Sequence, residues 1–115
     1  MDRGDPRHDS VDQLKRGNLV VVAARPALVV QPDVFNEAHA SVTLIPVTST
    51  LVDAPLFRLK VAPSPGNGLR ALSQIMIDKV TTVARARIGK TIGHVEDDLL
   101  LQVNRAMALW VGIAA

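Results

Sequence analysis

An arginine and a run of hydroxyl residues stand at the ends of two apolar segments, where together they could bind a phosphate. Arg25 opens the segment RPALVVQ, and Thr48 and Ser49 close the segment SVTLIPVTS. Both segments are rich in β-branched residues and a short polar stretch separates them, so they predict two neighbouring strands. A guanidinium matches phosphate oxygens and a hydroxyl can hydrogen-bond the same group. The spacing alone therefore predicts a small β-rich domain with an anion site.

Composition limits what else the chain can bind. Its 115 residues suffice for one domain with a modest core, and 48% of them are hydrophobic. Aromatic residues make up only 3%, so base stacking is not the main means of binding a nucleic acid. The net charge of +2 is compatible with RNA without requiring it. There is no cysteine, and His8, His39 and His94 lack ligand spacing, so we expect neither a metal nor a cofactor.

The ends of the chain and its apolar runs indicate where it works. No apolar run approaches the length of a membrane span, and the charged N-terminus lacks the apolar stretch of a signal peptide. We therefore expect no contact with a membrane and a cytoplasmic location. Residues 1–15 are polar at their start and predict a disordered or extended arm, and residues 16–115 predict the folded domain.

The run LVVVAARPALVVQ has no obvious turn. An antiparallel hairpin needs about two loop residues and favours Gly, Asn or Asp in them, whereas this run offers only Ala23 and Ala24. Pro26 would also remove a ladder donor from one long strand. The chain is then either one bent strand or lacks a loop between Ala24 and Arg25. We favour the missing loop, and expect a Cα separation there longer than the ~3.8 Å of a peptide bond.

The remaining pattern predicts short strands and one helix. Residues 56–61 alternate at period two, residues 73–83 predict strand with a bend near Asp78, and residues 88–95 predict another strand. Residues 97–110 place apolar side chains on one helical stripe, and Gly112 ends it. Five or six short strands and a terminal helix favour a sheet curled into a small barrel.

The order of six sequence blocks resembles the MazF/PemK family of toxin endoribonucleases over residues 16–113. The blocks are RPALVVQ, DVFN, TLIPVTST, SQIMIDKV, IGKTIGHVEDD and LLLQVNRAMALWVG. The resemblance implies an SH3-like curled β-barrel of the CcdB/MazF type with a C-terminal helix, assembled as a homodimer. It also implies metal-independent, sequence-specific cleavage of single-stranded RNA, with attack by the 2′-hydroxyl giving 2′,3′-cyclic phosphate and 5′-hydroxyl ends. A cognate antitoxin would cover the RNA groove.

The same resemblance assigns roles to particular residues. The catalytic arginine of the family falls on Arg25 and its hydroxyl on Thr48, with Ser49 beside it. Some members also carry an arginine and an aspartate in the strand SQIMID. This chain keeps the acid as Asp78, a candidate base, but has Met76 near the expected cation. The chemistry therefore rests on Arg25 and Thr48.

Other candidate contacts and other functions stay open. Gln74 and Lys79 are candidate RNA contacts, although Lys79 could equally form a surface ion pair with Asp78. Family members carry a loop between the first two strands, so its absence here favours a catalytically silent, antitoxin-binding variant as one alternative. The C-terminal Trp110-Val111-Gly112-Ile113 resembles the end of a CcdB-type gyrase-poisoning toxin, the other alternative. Trp110, however, lies on the apolar stripe of the predicted helix.

Overall fold

Seven short strands form one antiparallel sheet in the computed structural model, which describes residues 14–113. The long strand β3 pairs with β2 along one edge and with both β5 and β6 along the other. The sheet follows the order β4-β5-β3-β2-β1-β7, with β6 beside β3. This half-barrel with a C-terminal helix confirms the predicted curled fold. The strands are β1 (Asn18–Val22), β2 (Arg25–Val29), β3 (Ser41–Thr48), β4 (Arg58–Val61), β5 (Ser73–Met76), β6 (Thr81–Ala84) and β7 (Thr91–His94).

A two-residue turn joins β1 to β2, so the expected gap between Ala24 and Arg25 is wrong. Val22 pairs directly with Arg25 across the hairpin. Ala23 and Ala24 both have positive φ, at 51° and 66°. A two-residue hairpin of type I′ requires this conformation at both positions because it matches the twist of the flanking strands. Alanine reaches it only with strain, which is why the sequence did not suggest a turn.

Two local irregularities shape the far side of the sheet. A 3₁₀ turn at Ile77–Lys79 separates β5 from β6, which confirms the bend predicted near Asp78. A second 3₁₀ turn, Arg85–Arg87, leads towards β7. In β7 the register shifts, because Leu19 pairs with Gly93 and Val20 with Thr91. Ile92 is thus an extra residue, and such a bulge changes the direction of neighbouring side chains.

Two helices complete the part of the fold that the structure describes, α1 (Asp33–Asn36) and α2 (Asp97–Trp110). The bounds of α2 are those that the sequence predicted. Gly112 has φ +79°, and the N–H of Ile113 donates to the carbonyl of Ala108, as in a glycine-terminated helix end. Val103 is fully buried, whereas Trp110 is 45% exposed and contacts Phe57 edge-on at a centroid distance of 5.1 Å.

Core residues lie on both faces of the sheet. One face packs against α2, and the other is covered by Leu14 and Ile88. Leu14 is only 3% exposed, and the N–H of Lys15 donates to the side chain of Asn18 at 2.8 Å. These two residues therefore belong to the fold rather than to the arm predicted for residues 1–15. The rest of that arm lies outside the described residues.

Neither helix in residues 14–113 combines the length and the apolar character needed to cross a membrane.

Candidate active site

A groove of about 740 Å³ opens where the β1–β2 turn, the end of β3, the loop before β5 and the start of β7 meet. Among the described residues that line it, three are cationic and none is acidic or aromatic. The surface of the groove therefore suits a negatively charged polymer that binds through its backbone charges. The polar lining residues are Arg25, Ser49, Arg70, Ser73, Lys90 and Thr91, and the larger apolar ones are Val21, Pro26, Val47, Leu69 and Ile92.

Arg25 lies at the rim of this groove and is exposed. It is the first residue of β2, and β2 pairs with β3 so that Ala27 faces Pro46. Continuing this antiparallel register by two residues brings Arg25 opposite Thr48, the last residue of β3. Directly opposed residues on antiparallel strands project to the same side of the sheet. The sheet thus brings the ends of the two predicted segments together.

The two hydroxyl residues differ in their surroundings. Thr48 is half-buried, and its Oγ1 accepts a hydrogen bond from the N–H of Thr50 at 3.0 Å. Thr48 is not part of the groove lining, whereas Ser49 is exposed and lines it. The bond to Thr50 uses an oxygen lone pair of Thr48 and leaves its hydroxyl hydrogen available for another acceptor. Thr48 therefore has a fixed oxygen and a donor, and Ser49 has the more open position.

Asp78 forms an ion pair within the fold. Its carboxylate accepts from Nε of Arg58 at 3.1 Å, and the two side chains are 24% and 17% exposed. The ion pair that the sequence suggested with Lys79 is thus made with Arg58 of β4. Asp78 and the exposed Lys79 both lie in the 3₁₀ turn and outside the groove lining.

Gln74 also serves the fold. It is 2% exposed, its Oε1 accepts from the N–H of Val52 at 3.0 Å, and its Nε2 donates to the carbonyl of Val52 at 2.8 Å. Both ends of the amide therefore fasten the segment after β3 to β5. Because Gln74 is buried and bonded to the backbone, we propose no RNA contact for it.

Sequence reasoning missed two cations of the groove, Arg70 and Lys90. Arg70 follows the turn-rich segment PSPGNG, which carries no chemical motif, and Lys90 lies within the strand predicted for residues 88–95. Neither residue is near Arg25 in the sequence, so their meeting depends on tertiary contacts. The available signal was the glycine beside each: Gly68 precedes Arg70 by two positions and Gly89 precedes Lys90.

Glycines allow the loop before β5 to lie directly against β7. A Cβ on Gly68 would sit 2.2 Å from the carbonyl oxygen of Ile92, and one on Gly93 would sit 2.4 Å from the backbone of Asn67. The N–H of His94 donates to the carbonyl of Gly66 at 2.9 Å. This contact joins the β4–β5 side of the sheet to its β7 edge and forms one side of the groove.

Residues 14–113 contain no group of three or more His, Cys, Asp or Glu side chains placed to hold a metal ion.

Comparisons with known proteins agree with this fold. Residues 15–111 match the family described as PemK-like, MazF-like toxin of type II toxin–antitoxin system. The probable endoribonuclease MazF of Mycolicibacterium smegmatis is 38% identical over 109 residues, which cover 88% of this chain and 99% of that protein.

Solved structures are similar in fold as well, and two of them serve as examples. An endoribonuclease from mycobacterial species is 25% identical with a TM-score of 0.72, covering 86% of this chain and 91% of that one. The MazE–MazF structure from Deinococcus radiodurans has a TM-score of 0.75 at 24% identity, covering 88% of this chain and 98% of that one. The chain therefore belongs to the family of PemK-like, MazF-like toxins of type II toxin–antitoxin systems.

Proposed function

We propose that this MazF-like endoribonuclease cleaves single-stranded RNA in the groove, without a metal ion, using Arg25 and Thr48 with Ser49 beside them. The observation that carries the proposal is Arg25, an exposed cation at the groove rim whose strand register brings it opposite Thr48. The same assignment is supported by the resemblance to the MazF/PemK family, whose catalytic arginine and hydroxyl fall on Arg25 and Thr48.

The reaction forms one bond to phosphorus and breaks another. The 2′-oxygen attacks the adjacent phosphorus as it loses its proton, and the bond from phosphorus to the 5′-oxygen breaks as that oxygen gains a proton. The products are a 2′,3′-cyclic phosphate and a 5′-hydroxyl. Negative charge builds up on the phosphate oxygens in the transition state, and fixed donors that match it accelerate the step.

Arg25 is suited to this charge, because its planar guanidinium can donate two hydrogen bonds to phosphate oxygens. Thr48 can donate its hydroxyl hydrogen to the phosphate while the N–H of Thr50 holds its oxygen in place. Such a fixed donor helps align the attacking and leaving oxygens. The carboxylate of Asp78 is paired with Arg58 at 3.1 Å, so we assign it no proton transfer.

We further propose that the protein works in the cytoplasm as a homodimer and is inhibited by a cognate antitoxin. The family is one of toxin–antitoxin systems, and the similar structure from Deinococcus radiodurans is of MazE–MazF. Exposed apolar side chains near the end of α2 offer surface for a protein interface. Among them are Val111 at 55% and Ile113 at 82% exposure, and Leu56, which is 63% exposed, precedes the Phe57 that contacts Trp110.

A catalytically silent, antitoxin-binding protein is the second candidate. The observation that favours it is the β1–β2 turn, which has only two residues and so leaves that side of the groove without a covering loop. The gyrase-poisoning alternative has weaker support: Trp110 is 45% exposed, but a curated relative that the chain matches is a probable endoribonuclease.

The deciding experiment incubates the purified protein with mixed-sequence RNA in the presence of EDTA and maps the ends. We expect discrete cuts with 2′,3′-cyclic phosphate and 5′-hydroxyl ends. A single 2′-deoxy substitution at a mapped site should abolish that cut, because it removes the nucleophile. Cuts that require added metal would contradict the mechanism, and absence of cuts with retained antitoxin binding would support the silent variant.

A further inference from the structure

We infer that Arg70 and Lys90 form a second phosphate site in the groove, which holds the RNA backbone beside the phosphate that is cleaved. The inference rests on the proposed function and extends it, since it names residues that position the substrate rather than react with it. It predicts that binding of the strand depends on cations that the sequence did not single out.

The backbone holds Arg70 in place from the loop before β5. Gly68, two residues earlier, has φ +71° and lies against the carbonyl of Ile92 with no space for a side chain. Asn67 stabilises the same loop, because its Oδ1 accepts from the N–H groups of Ser64 and Leu69 at 3.1 and 2.9 Å. Leu69 is buried in the core. The backbone at Arg70 is therefore fixed by its neighbours in the loop, while the side chain of Arg70 is exposed.

Lys90 is held from the other direction, at the β1–β7 contact. The N–H of Val21 donates to the carbonyl of Lys90 at 3.0 Å, and the N–H of Gly89 donates to the carbonyl of Val21 at 2.7 Å. The bulge at Ile92 follows, and Lys90, Thr91 and Ile92 all line the groove. Three consecutive residues of a regular strand would not share one face, so the bulge is what gathers them there.

Neither cation is used by the fold. The side chains of Arg70 and Lys90 are exposed and have no ion-pair or hydrogen-bond partner in residues 14–113. Two like charges that line one groove repel each other, and no lining residue within residues 14–113 is an acid that could neutralise them. This arrangement favours an anionic ligand. Among the described residues that line the groove, none is an aromatic on which bases could stack. Charge on the RNA backbone is then the main attraction available, and phosphates are the groups that Arg70 and Lys90 bind.

The test measures binding separately from cleavage. Fluorescence anisotropy of a mixed-sequence, fully 2′-O-methylated oligonucleotide, which cannot be cleaved, is followed against salt concentration for the whole protein and its variants. We expect Arg70→Ala and Lys90→Ala each to weaken binding about three- to ten-fold near 0.1 M salt. Each should also lower the slope of log K against log salt by about 0.7, the value for one phosphate contact on a single strand.

Matched controls are available elsewhere on the protein. Arg87→Ala and Arg105→Ala remove exposed cations that do not line the groove, and each should leave the slope unchanged. Arg70→Lys keeps the charge and should keep most of the slope. Circular dichroism and thermal unfolding check that every variant is folded.

A second measurement locates the contact along the RNA. Neutral methylphosphonate linkages beside a mapped cleavage site should raise KM for the wild-type protein with little change in kcat. The same linkages should have a smaller effect on Arg70→Ala or Lys90→Ala, because the partner of the removed charge is already missing.

The outcomes separate this inference from the proposed function. If the wild type cleaves RNA but the groove variants bind with the slope of the controls, the second phosphate site is wrong and the nuclease stands. If the variants lose binding to a poly-glutamate peptide but keep oligonucleotide binding, the pair serves an acidic protein partner, and the inference is overturned. If the wild type does not bind the oligonucleotide at low salt, the inference is likewise overturned, whereas the cleavage assay alone decides the nuclease.

Discussion

The backbone of Gly68 lies directly against that of Ile92, and a Cβ on Gly68 would come within 2.2 Å of the Ile92 carbonyl oxygen. This contact connects the loop that carries Arg70 with the strand that follows Lys90. The integrity of the groove therefore depends on a residue that has no side chain.

Gly68→Ala should destabilise the protein and weaken RNA binding. The added methyl group must displace backbone, and φ of +71° disfavours alanine in addition. We expect a loss of about 2–4 kcal/mol in the free energy of unfolding measured in urea. Gly112→Ala is the matched control, because Gly112 has φ +79° with nothing within 4 Å. That variant should lose only about 1–2 kcal/mol, and equal losses would show that the contact with Ile92 contributes nothing.

The β1–β2 turn should become more stable when its sequence fits its conformation. Ala23→Asn combined with Ala24→Gly supplies the residues that a type I′ turn prefers, while the present alanines have φ of 51° and 66°. We expect the free energy of unfolding to rise by about 1–2 kcal/mol in thermal or urea denaturation. Ala24→Val, with a β-branched residue at the same positive φ, should lower it. A double variant less stable than the wild type would argue against this turn geometry.

Arg25→Ala should abolish most of the cleavage without unfolding the protein. Loss of a donor to the transition state typically lowers the rate by on the order of 10²-fold or more. Arg25 is exposed and has no side-chain partner in the described part of the chain, so thermal stability should change by less than about 0.5 kcal/mol. Cleavage is measured as kcat on a mapped RNA site, with Arg87→Ala as the control. Normal cleavage by the Arg25→Ala variant would contradict the assignment of Arg25 as a catalytic residue.

Thr48 and Ser49 can be separated by the chemistry that each substitution removes. Thr48→Ser keeps the hydroxyl that Thr50 fixes and should retain cleavage within about three-fold, whereas Thr48→Val should lose about ten-fold or more. Ser49→Ala should have the smaller effect, because its hydroxyl has no fixed hydrogen bond in the described residues. Single-turnover rates provide the comparison. The reverse order would move the catalytic hydroxyl to Ser49, which lines the groove.

Asp78→Asn should affect stability more than cleavage. The carboxylate pairs with Arg58 at 3.1 Å in a partly buried position, and removing one partner leaves the other charge less well compensated. We expect a loss of about 1–2 kcal/mol in urea unfolding and cleavage within about three-fold of the wild type. Arg58→Ala should lose a similar amount, and the double variant little more. A large loss of cleavage at unchanged stability would instead identify Asp78 as the base.

Local patterns in the sequence predicted the regular elements well. The stripe through Leu100, Val103 and Met107 and the stop at Gly112 define α2 because helix periodicity and a glycine end are local properties. The bend near Asp78 was equally visible. The Ala23–Ala24 turn was not, because its conformation is imposed by the pairing of β1 with β2 against the preference of alanine.

The candidate site was predictable only in part. Arg25 begins β2 and Thr48 ends β3, two strands that the sequence pattern predicted. Antiparallel pairing of these strands is enough to bring the two residues close together. Arg70 and Lys90 come from segments far apart in the chain, and they share the groove because Gly68, Gly89 and Gly93 permit close backbone contacts. The sequence pattern gave no sign of the structural use of Gln74. Its side-chain amide hydrogen-bonds the backbone of Val52, a contact between segments that are distant in the sequence.

The β1–β2 turn between Val22 and Arg25 contains only Ala23 and Ala24 and has no additional residues that could move independently. Both of its residues are fixed by the hairpin pairing, so this edge of the groove cannot act as a flap that swings open or shut. A regulator that silences the enzyme could not do so by pulling the turn aside. An antitoxin that occupied the groove itself would compete with RNA, and its inhibition should then be overcome by raising the concentration of RNA.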